Sequence, residues 1–257
     1  SLVFPADADG NQTSTTPLSI ADNNSLSGHT VGLYVQDEWL VTDKLTINAG
    51  ARYDRVSTVV NESQLSPRLG AVYQLGPNTR VHAGYARYFT PPPTEKIDQT
   101  SVQAFLGTTN ALPSDANTAV RSERSDYFDL GISHQLTREW TLGADAYYRS
   151  VRHLQDEGQF GSAYVYSAFN YERGRIYGLE LSATYDTSSF SAYANVAFSG
   201  ARGKGIESGQ FNFDEDELAY IQNNWVHLDH EETMTASAGA TSRFNRQTSV
   251  SGDVLFG

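Results

Sequence analysis

Thr30-Val31-Gly32-Leu33-Tyr34-Val35-Gln36-Asp37-Glu38-Trp39-Leu40-Val41 runs into a short break, Thr42-Asp43-Lys44, and resumes as Leu45-Thr46-Ile47-Asn48-Ala49-Gly50-Ala51-Arg52-Tyr53-Asp54. In the first segment Val31, Leu33, Val35, Trp39 and Val41 share one parity, interrupted by Asp37, while Gly32, Tyr34, Gln36, Glu38 and Leu40 hold the other. In the second, Leu45, Ile47, Ala49, Ala51 and Tyr53 alternate with Thr46, Asn48, Gly50, Arg52 and Asp54. Residues two apart lie on one face of a strand, so each segment has an apolar face and a mostly polar or small one. The polar break between them makes the pair a hairpin.

The same unit recurs along the chain. Leu69, Ala71, Tyr73 and Leu75 precede Gly76-Pro77-Asn78, and Val81, Ala83 and Tyr85 follow. Phe128, Leu130, Ile132 and Leu136 precede Thr137-Arg138-Glu139, and Trp140, Leu142, Ala144, Ala146 and Tyr148 follow. Leu179, Leu181, Ala183 and Tyr185 are joined to Phe190, Ala192, Ala194, Val196 and Phe198, and Met234 to Phe244 are joined through Asn245-Arg246-Gln247 to Val250, Val254 and Phe256. The total is roughly ten strands of about nine or more residues, the length at which a tilted strand crosses a bilayer.

The hairpin turns are short, whereas the links between hairpins, Arg55 to Ser66, Thr90 to Ser125, Arg152 to Arg173 and Gly200 to Glu232, are long. Outer-membrane barrels alternate in this way, with short periplasmic turns and long extracellular loops. Aromatic residues fall at strand ends: Trp39, Trp140, Tyr185, Phe190 and Phe244 beside short turns, Tyr53, Tyr148 and Phe198 beside long links. Two interfacial girdles account for that placement. The expected fold is all-β, an antiparallel up-and-down transmembrane β-barrel segment. Hydrocarbon offers no hydrogen-bond partner, so spanning strands must pair on both edges. The chain stops within its last strand at Phe256-Gly257, and the expectation is therefore a fragment of a larger barrel. Residues 1–27 form a polar lead assigned to an extracellular loop, and 28–257 form the partial barrel.

Composition removes several functions. In 257 residues, 18 Lys and Arg stand against 30 Asp and Glu, giving a net charge of −12 and a pI near 4.8, which argues against nucleic acid as a partner. The absence of cysteine removes disulfides, thiolate metal sites and thiol nucleophiles. No apolar run reaches the roughly 18 residues of a transmembrane helix. Ser1-Leu2-Val3-Phe4-Pro5 has no signal-peptide pattern.

Several segments resemble the barrel of TonB-dependent outer-membrane receptors. Gly32 to Trp39 followed by Leu45 to Asp54 is similar to that family's recurring hairpin; Leu65 to Tyr73 and Tyr85 to Pro92 resemble the hairpin after it, and Ile176-Tyr177-Gly178-Leu179-Glu180-Leu181 resembles a recurring strand start. The resemblance covers about Gly28 to Gly257. It implies a barrel of about 22 strands plugged by an amino-terminal domain. It further implies monomeric receptors in the outer membrane of Gram-negative bacteria that take up a scarce nutrient, siderophore-iron, cobalamin or a similar chelate or a saccharide, with TonB-derived energy. The plug and TonB-contacting box expected of such receptors are not among these residues.

On the inward parity lie Gln36, Glu38, Asn48, Arg52, Arg68, Gln74, Arg80, His82, Asp129, Asp145, Tyr147, Arg149 and Glu180. Most are expected to bond to one another. Arg52 and Arg149 lie nearest the long links, where guanidinium groups would hold an anionic ligand. Tyr164, Tyr166, Phe211, Phe213, Tyr220 and Trp225 in the long links offer aromatic surface for a chelate or sugar, and packing of loop on loop is the plainer use of them. Asp214-Glu215-Asp216-Glu217 and His227-Leu228-Asp229-His230-Glu231-Glu232 read as solvated loop charge rather than a metal site, so neither metal nor cofactor is expected. Gly200-Ala201-Arg202-Gly203-Lys204-Gly205 lacks a following helix and reads as the start of a flexible loop. Asp37, Arg87 and His134 interrupt the outward apolar stripe near strand ends, where Arg87 would meet lipid phosphates. The resulting function is ligand capture and transport, not catalysis. A passive porin, a barrel hydrolase using Asp229 and His230, and a soluble β-sandwich adhesin are the rivals.

Overall fold

In the computed structural model, residues 2–20, 25, 27–93, 105–111, 119–160, 165–244 and 247–257 are described, those at 159, 160, 165–167 and 211 by backbone alone. The elements are β1 (His29–Thr42), β2 (Leu45–Ser57), β3 (Asn61–Gly76), β4 (Thr79–Thr90), β5 (Glu123–Gln135), β6 (Trp140–Phe160), β7 (Val165–Asp186) and β8 (Phe190–Ser208). After them come a helix α1 (Glu215–Asn223), a two-residue β9 (Val226–His227), β10 (Met234–Arg243) and β11 (Ser249–Phe256). Each long strand pairs antiparallel with its predecessor, β8 pairs β10, and β9 adds to the outer end of β8. The described sheet is open, with β1 and β11 at its edges.

Register turns the alternation of single strands into rows across the sheet. Trp39, Ile47, Ala71, Ala83, Leu130, Ala146, Leu179, Phe198 and Met234 are successive partners, an apolar row of nine strands. One residue over, Glu38, Asn48, Gly70, Gly84, Asp129, Tyr147, Gly178 and Ser199 are partners on the opposite face. The first face is bare: Leu33 is 67% and Leu130 63% exposed. The second is filled by side chains leaning over glycines. A Cβ at Gly178 would lie 2.6 Å from the Tyr147 hydroxyl, so only glycine leaves the ring its place.

Two aromatic belts bound the apolar rows. Trp140 sits 5.0 Å from Tyr185 and Tyr185 6.1 Å from Phe190 at the short turns. Toward the other end Tyr85, Phe128, Tyr148 and Tyr177 are cross-strand partners, with Tyr85 and Phe128 rings 5.1 Å apart. From Trp140 to Tyr148 the strand rises roughly 27 Å at ~3.4 Å per residue. A tilt of about 40° makes that some 20 Å of thickness, close to the ~25 Å apolar band of outer-membrane barrels.

The residues that break the outward stripe are all engaged. Arg87 Nε donates to Asp126 at 2.9 Å, as does the Tyr85 hydroxyl at 2.7 Å, so Arg87 has a carboxylate partner rather than depending on lipid phosphate. The Asp37 carboxylate accepts the Glu38 N–H at 2.9 Å, and His134 Nδ1 lies 2.8 Å from Thr79 Oγ1.

The long links are shorter than the sequence suggests. Residues 58–60 alone separate β2 from β3, since Arg55 to Ser57 and Asn61 to Ser66 are paired strand. β6 and β7 stay paired through Phe160 and Val165. Gly200 to Gly205 is not a flexible loop start: it lies within β8, and Gly200 to Lys204 pair with β7. Alternation of Gly with charged residues removed the apolar signal without removing the backbone ladder. Asp214 to Glu217 is not loop charge either but the N-cap and first turn of α1, with the Glu217 carboxylate accepting the Asp214 N–H at 3.0 Å. In the lead, Ala6 N–H donates to Gly107 O and Phe4 O accepts from Thr109, both at 2.9 Å, tying residues 2–20 to the β4–β5 link.

Candidate functional site: the outer cavity

Above the upper aromatic belt β6, β7 and β8 run on past the ends of β5 and β10 and build a hydrophobic core of their own. Val151, Leu154, Phe169, Tyr171, Ile206 and Ile221 are buried together, with Phe213, Leu218, Val226 and Leu228 packed on them. Val151 and Leu154 stand three apart on one strand, a spacing that puts them on opposite faces of a regular strand. His153 between them has φ 54°, and both side chains converge on Gly174, where a Cβ would lie 2.7 Å from Leu154 and 3.1 Å from Val151. α1 closes over this sheet because Leu218 and Ile221, three apart, share one helix face.

Asn170 is the polar centre of the region and is fully buried. Its Oδ1 accepts the Arg121 N–H at 2.8 Å and the Ser208 hydroxyl at 3.0 Å. Its Nδ2 donates to His153 O at 2.8 Å and Arg121 O at 3.1 Å. All four Asn valences are used, fastening the β4–β5 link to β6, β7 and β8. His153 and Arg121 both reach Glu207. None of these residues stood out in the sequence, because their partners are 17 to 86 positions away.

Between α1, β7 and the segment after β9 lies a cavity of about 830 Å³. Phe169, Tyr171, Phe213, Ile221 and Val226 form its apolar wall, and Tyr220, 60% exposed, stands on its lining. Glu157, Asp216, Glu217 and Asp229 supply carboxylates, and His227 and His230 imidazoles. Burial raises the carboxyl of Asp156, behind this wall, above the ordinary range, and the charge of Asp229 adds to the effect. Burial likewise pushes the Tyr171 phenol up to about 12, helped by Asp156 and Asp229. Glu231 goes the other way: burial would raise it, but hydrogen bonds from His227 and the Ala201 N–H hold it low. Among the described residues no group of three or more His, Asp or Glu is arranged to hold a metal ion.

Of the residues singled out from the sequence, Phe213 and Tyr220 line this cavity. Phe213 packs edge-on against Phe169 at 5.0 Å. Trp225 lies beside it, with the Arg175 guanidinium 4.0 Å above the indole. Tyr166 and Phe211 are described by backbone only, and Tyr164 lies outside the described residues. Arg52 and Arg149 line no part of the cavity. Arg52 Nε bonds Asp54 at 2.8 Å, and Arg149 bonds Glu123 and, at 3.0 Å, Ser125. Arg87, Arg124 and Arg121 are likewise matched by Asp126, Glu62 and Glu207.

An antiparallel meander with a bare apolar face, a glycine-rich polar face, two aromatic belts and an elaborated outer end has the geometry of an outer-membrane barrel wall. The family model described as TonB dependent receptor-like, beta-barrel, matches residues 3–252. The chain belongs to this family. Over 80 residues it is 32% identical to the TonB-dependent transporter Oar of Myxococcus xanthus, a match covering 27% of this chain and 8% of that protein. The FrpB iron transporter from Neisseria meningitidis superposes with a TM-score of 0.60 at 18% identity, over 89% of this chain and 33% of that one. The copper transporter OprC gives 0.62 at 16% over 84% and 32%, and the siderophore receptor PirA from Pseudomonas aeruginosa 0.60 at 16% over 89% and 38%. At these identities the solved structures speak for the fold. The chain spans about a third of their length. As part of a TonB-dependent receptor-like barrel, the row through Ile47, Leu130 and Leu179 faces lipid, and the face carrying Asp129 and Tyr147 faces the barrel interior.

Proposed function

We propose that the chain is part of an outer-membrane receptor of a Gram-negative bacterium that captures a scarce nutrient at its outer face and imports it with TonB-derived energy. The observation that carries the reading is the continuous apolar row across nine strands, bare on this sheet, in a chain whose family match spans residues 3–252. Hydrocarbon covers such a face without a further protein layer. The similar structures are described as an iron transporter, a copper transporter and a siderophore receptor, so a metal chelate leads the candidate cargoes, with cobalamin and saccharides behind it. In this reading residues 28–257 are barrel, and residues 1–27 belong to the extracellular side, which the pairing of the lead with the β4–β5 link supports. The small ligand meets the outer cavity and its aromatic residues; a plug domain would contact TonB, and the receptor works as a monomer without covalent chemistry.

The test is uptake of radiolabelled ferric, cupric and cobalamin chelates by cells carrying or lacking the gene, each with and without TonB. One chelate is expected to enter only when both are present. Uptake indifferent to TonB, with steady ion conductance of the purified full chain in planar bilayers, would replace the reading with a passive pore.

A further inference from the structure

We infer that the outer cavity is a subsite for an organic cation with an apolar body, so that the captured molecule carries an ammonium or guanidinium group and not only acidic chelating groups. The inference rests on the receptor reading above and narrows its ligand. Among the described residues the lining combines four carboxylates, Glu157, Asp216, Glu217 and Asp229, with no Lys or Arg. Arg175 stacks on Trp225 and Arg121 pairs with Glu207. His227 is bonded to Glu231. Glu217 caps the Asp214 N–H of α1, so the exposed carboxylates of Asp216 and Asp229 supply the negative charge beside the exposed ring of Tyr220 and the partly buried ring of Phe213. Ring faces and carboxylates together attract a cation that can shed water from one side. Burial is the main cause of the raised Asp156 and Tyr171 ionisations, and the negative charge of Asp229 adds to both. A bare metal ion is the poorer occupant, since the described carboxylates and imidazoles form no chelating group. A volume of about 830 Å³ instead suits a molecule of drug size.

The probes are benzyltrimethylammonium and its anionic counterpart benzylsulfonate, titrated calorimetrically into the full chain in detergent. The cation is expected to bind at least about tenfold more tightly. Asp216→Asn with Asp229→Asn should weaken it by about tenfold, two partly exposed charges each contributing modestly. Tyr220→Ala should weaken it about threefold through loss of the ring. All three substituted side chains are exposed, and heat-modifiable migration on gels verifies folding. Equal or tighter binding of benzylsulfonate, or cation binding unchanged in the double variant, would overturn the inference. Transport is scored separately: TonB-dependent uptake of an acidic chelate without competition by the cation sinks the subsite and leaves the receptor reading standing. Cation binding in a protein whose uptake ignores TonB does the reverse.

Discussion

β6, β7 and β8 pass through two environments, and the same three strands solve opposite problems in them. Between the aromatic belts their large side chains point away from the protein, as Leu142, Leu179 and Phe198 do at 40 to 45% exposed. Beyond the upper belt Val151, Leu154, Phe169 and Tyr171 are each at most 6% exposed, under α1 and the 3₁₀ turn Gln210–Asn212. The lower region relies on lipid to cover its apolar face; the upper one, in water, must cover its own. A lipid-facing sheet needs only an alternating pattern, whereas a water-facing one needs specific partners, which is why the helix, the buried Asn170 and the cavity all occur above the belt.

The comparison breaks most visibly if the upper core is emptied. Phe169 meets Tyr171 at 5.1 Å and Phe213 at 5.0 Å. Phe169→Ala should cost the outer region about 3–5 kcal/mol as a cavity opens. Hydrogen exchange of the full chain should quicken through α1 and the outer end of β8 while amides around Leu130 stay protected. Exchange rising equally in both places would mean that the two regions unfold as one.

The converse substitution is Leu130→Arg, in the middle of the apolar row. An arginine costs about 2–4 kcal/mol at bilayer mid-depth and about 0–1 near the interfaces; Leu130, two residues inside the belt at Phe128, falls between them. Urea unfolding in lipid vesicles should record that loss with exchange in α1 unchanged, and Tyr220→Arg, in water, should stay within about 0.5 kcal/mol of the parent. Near-neutral behaviour of Leu130→Arg would remove the lipid assignment of that face.

This division also explains what could be read from the sequence. From Thr30 to Asp54 and from Phe128 to Tyr148 one face meets lipid and the other a polar interior, so period two survives and even the register follows from the short turns. Past Arg152 both faces meet protein and His153 turns the strand, so alternation fails and the segment resembles a loop although its ladder continues. Asp214 and Glu217, at capping-box spacing before Leu218 and Ile221, did carry a helix signal, obscured by two more acids between them. The Arg52–Asp54 pair was legible as neighbours on one face of a strand; Arg149–Glu123 required the fold, the two being 26 residues apart.

A smaller effect sharpens the boundary at its polar centre. Asn170→Ala orphans the Arg121 N–H and the His153 carbonyl, while the Arg121 carbonyl keeps its bond from the Gln155 side chain. Buried unsatisfied groups cost about 1–3 kcal/mol. Limited proteolysis should reach residues 119–122 sooner, with unfolding in lipid unchanged.

The smallest expected effect uses pH, because the outer region contains shifted titrating groups near its core and the lipid-facing row contains no titrating side chain. Glu231 is held below the ordinary carboxyl value of 4.5 by His227 and the Ala201 N–H, with Arg202 also favouring its charge. A carboxylate depressed in the folded state stabilises it above the unfolded value, and that contribution disappears as pH falls through the folded one. The segment after β9 should therefore loosen below about pH 4.5, read as faster exchange corrected for the intrinsic rate, and Glu231→Gln should abolish the dependence. Tyr171 sets the alkaline limit with the opposite sign. Its phenol ionises near 10 when unfolded and about 12 when folded, so the outer core loses stability as pH climbs between those values, and Tyr171→Phe removes the loss. Exchange at Leu130 should follow neither transition; if it follows both, the boundary at the upper belt is not a boundary in cooperativity.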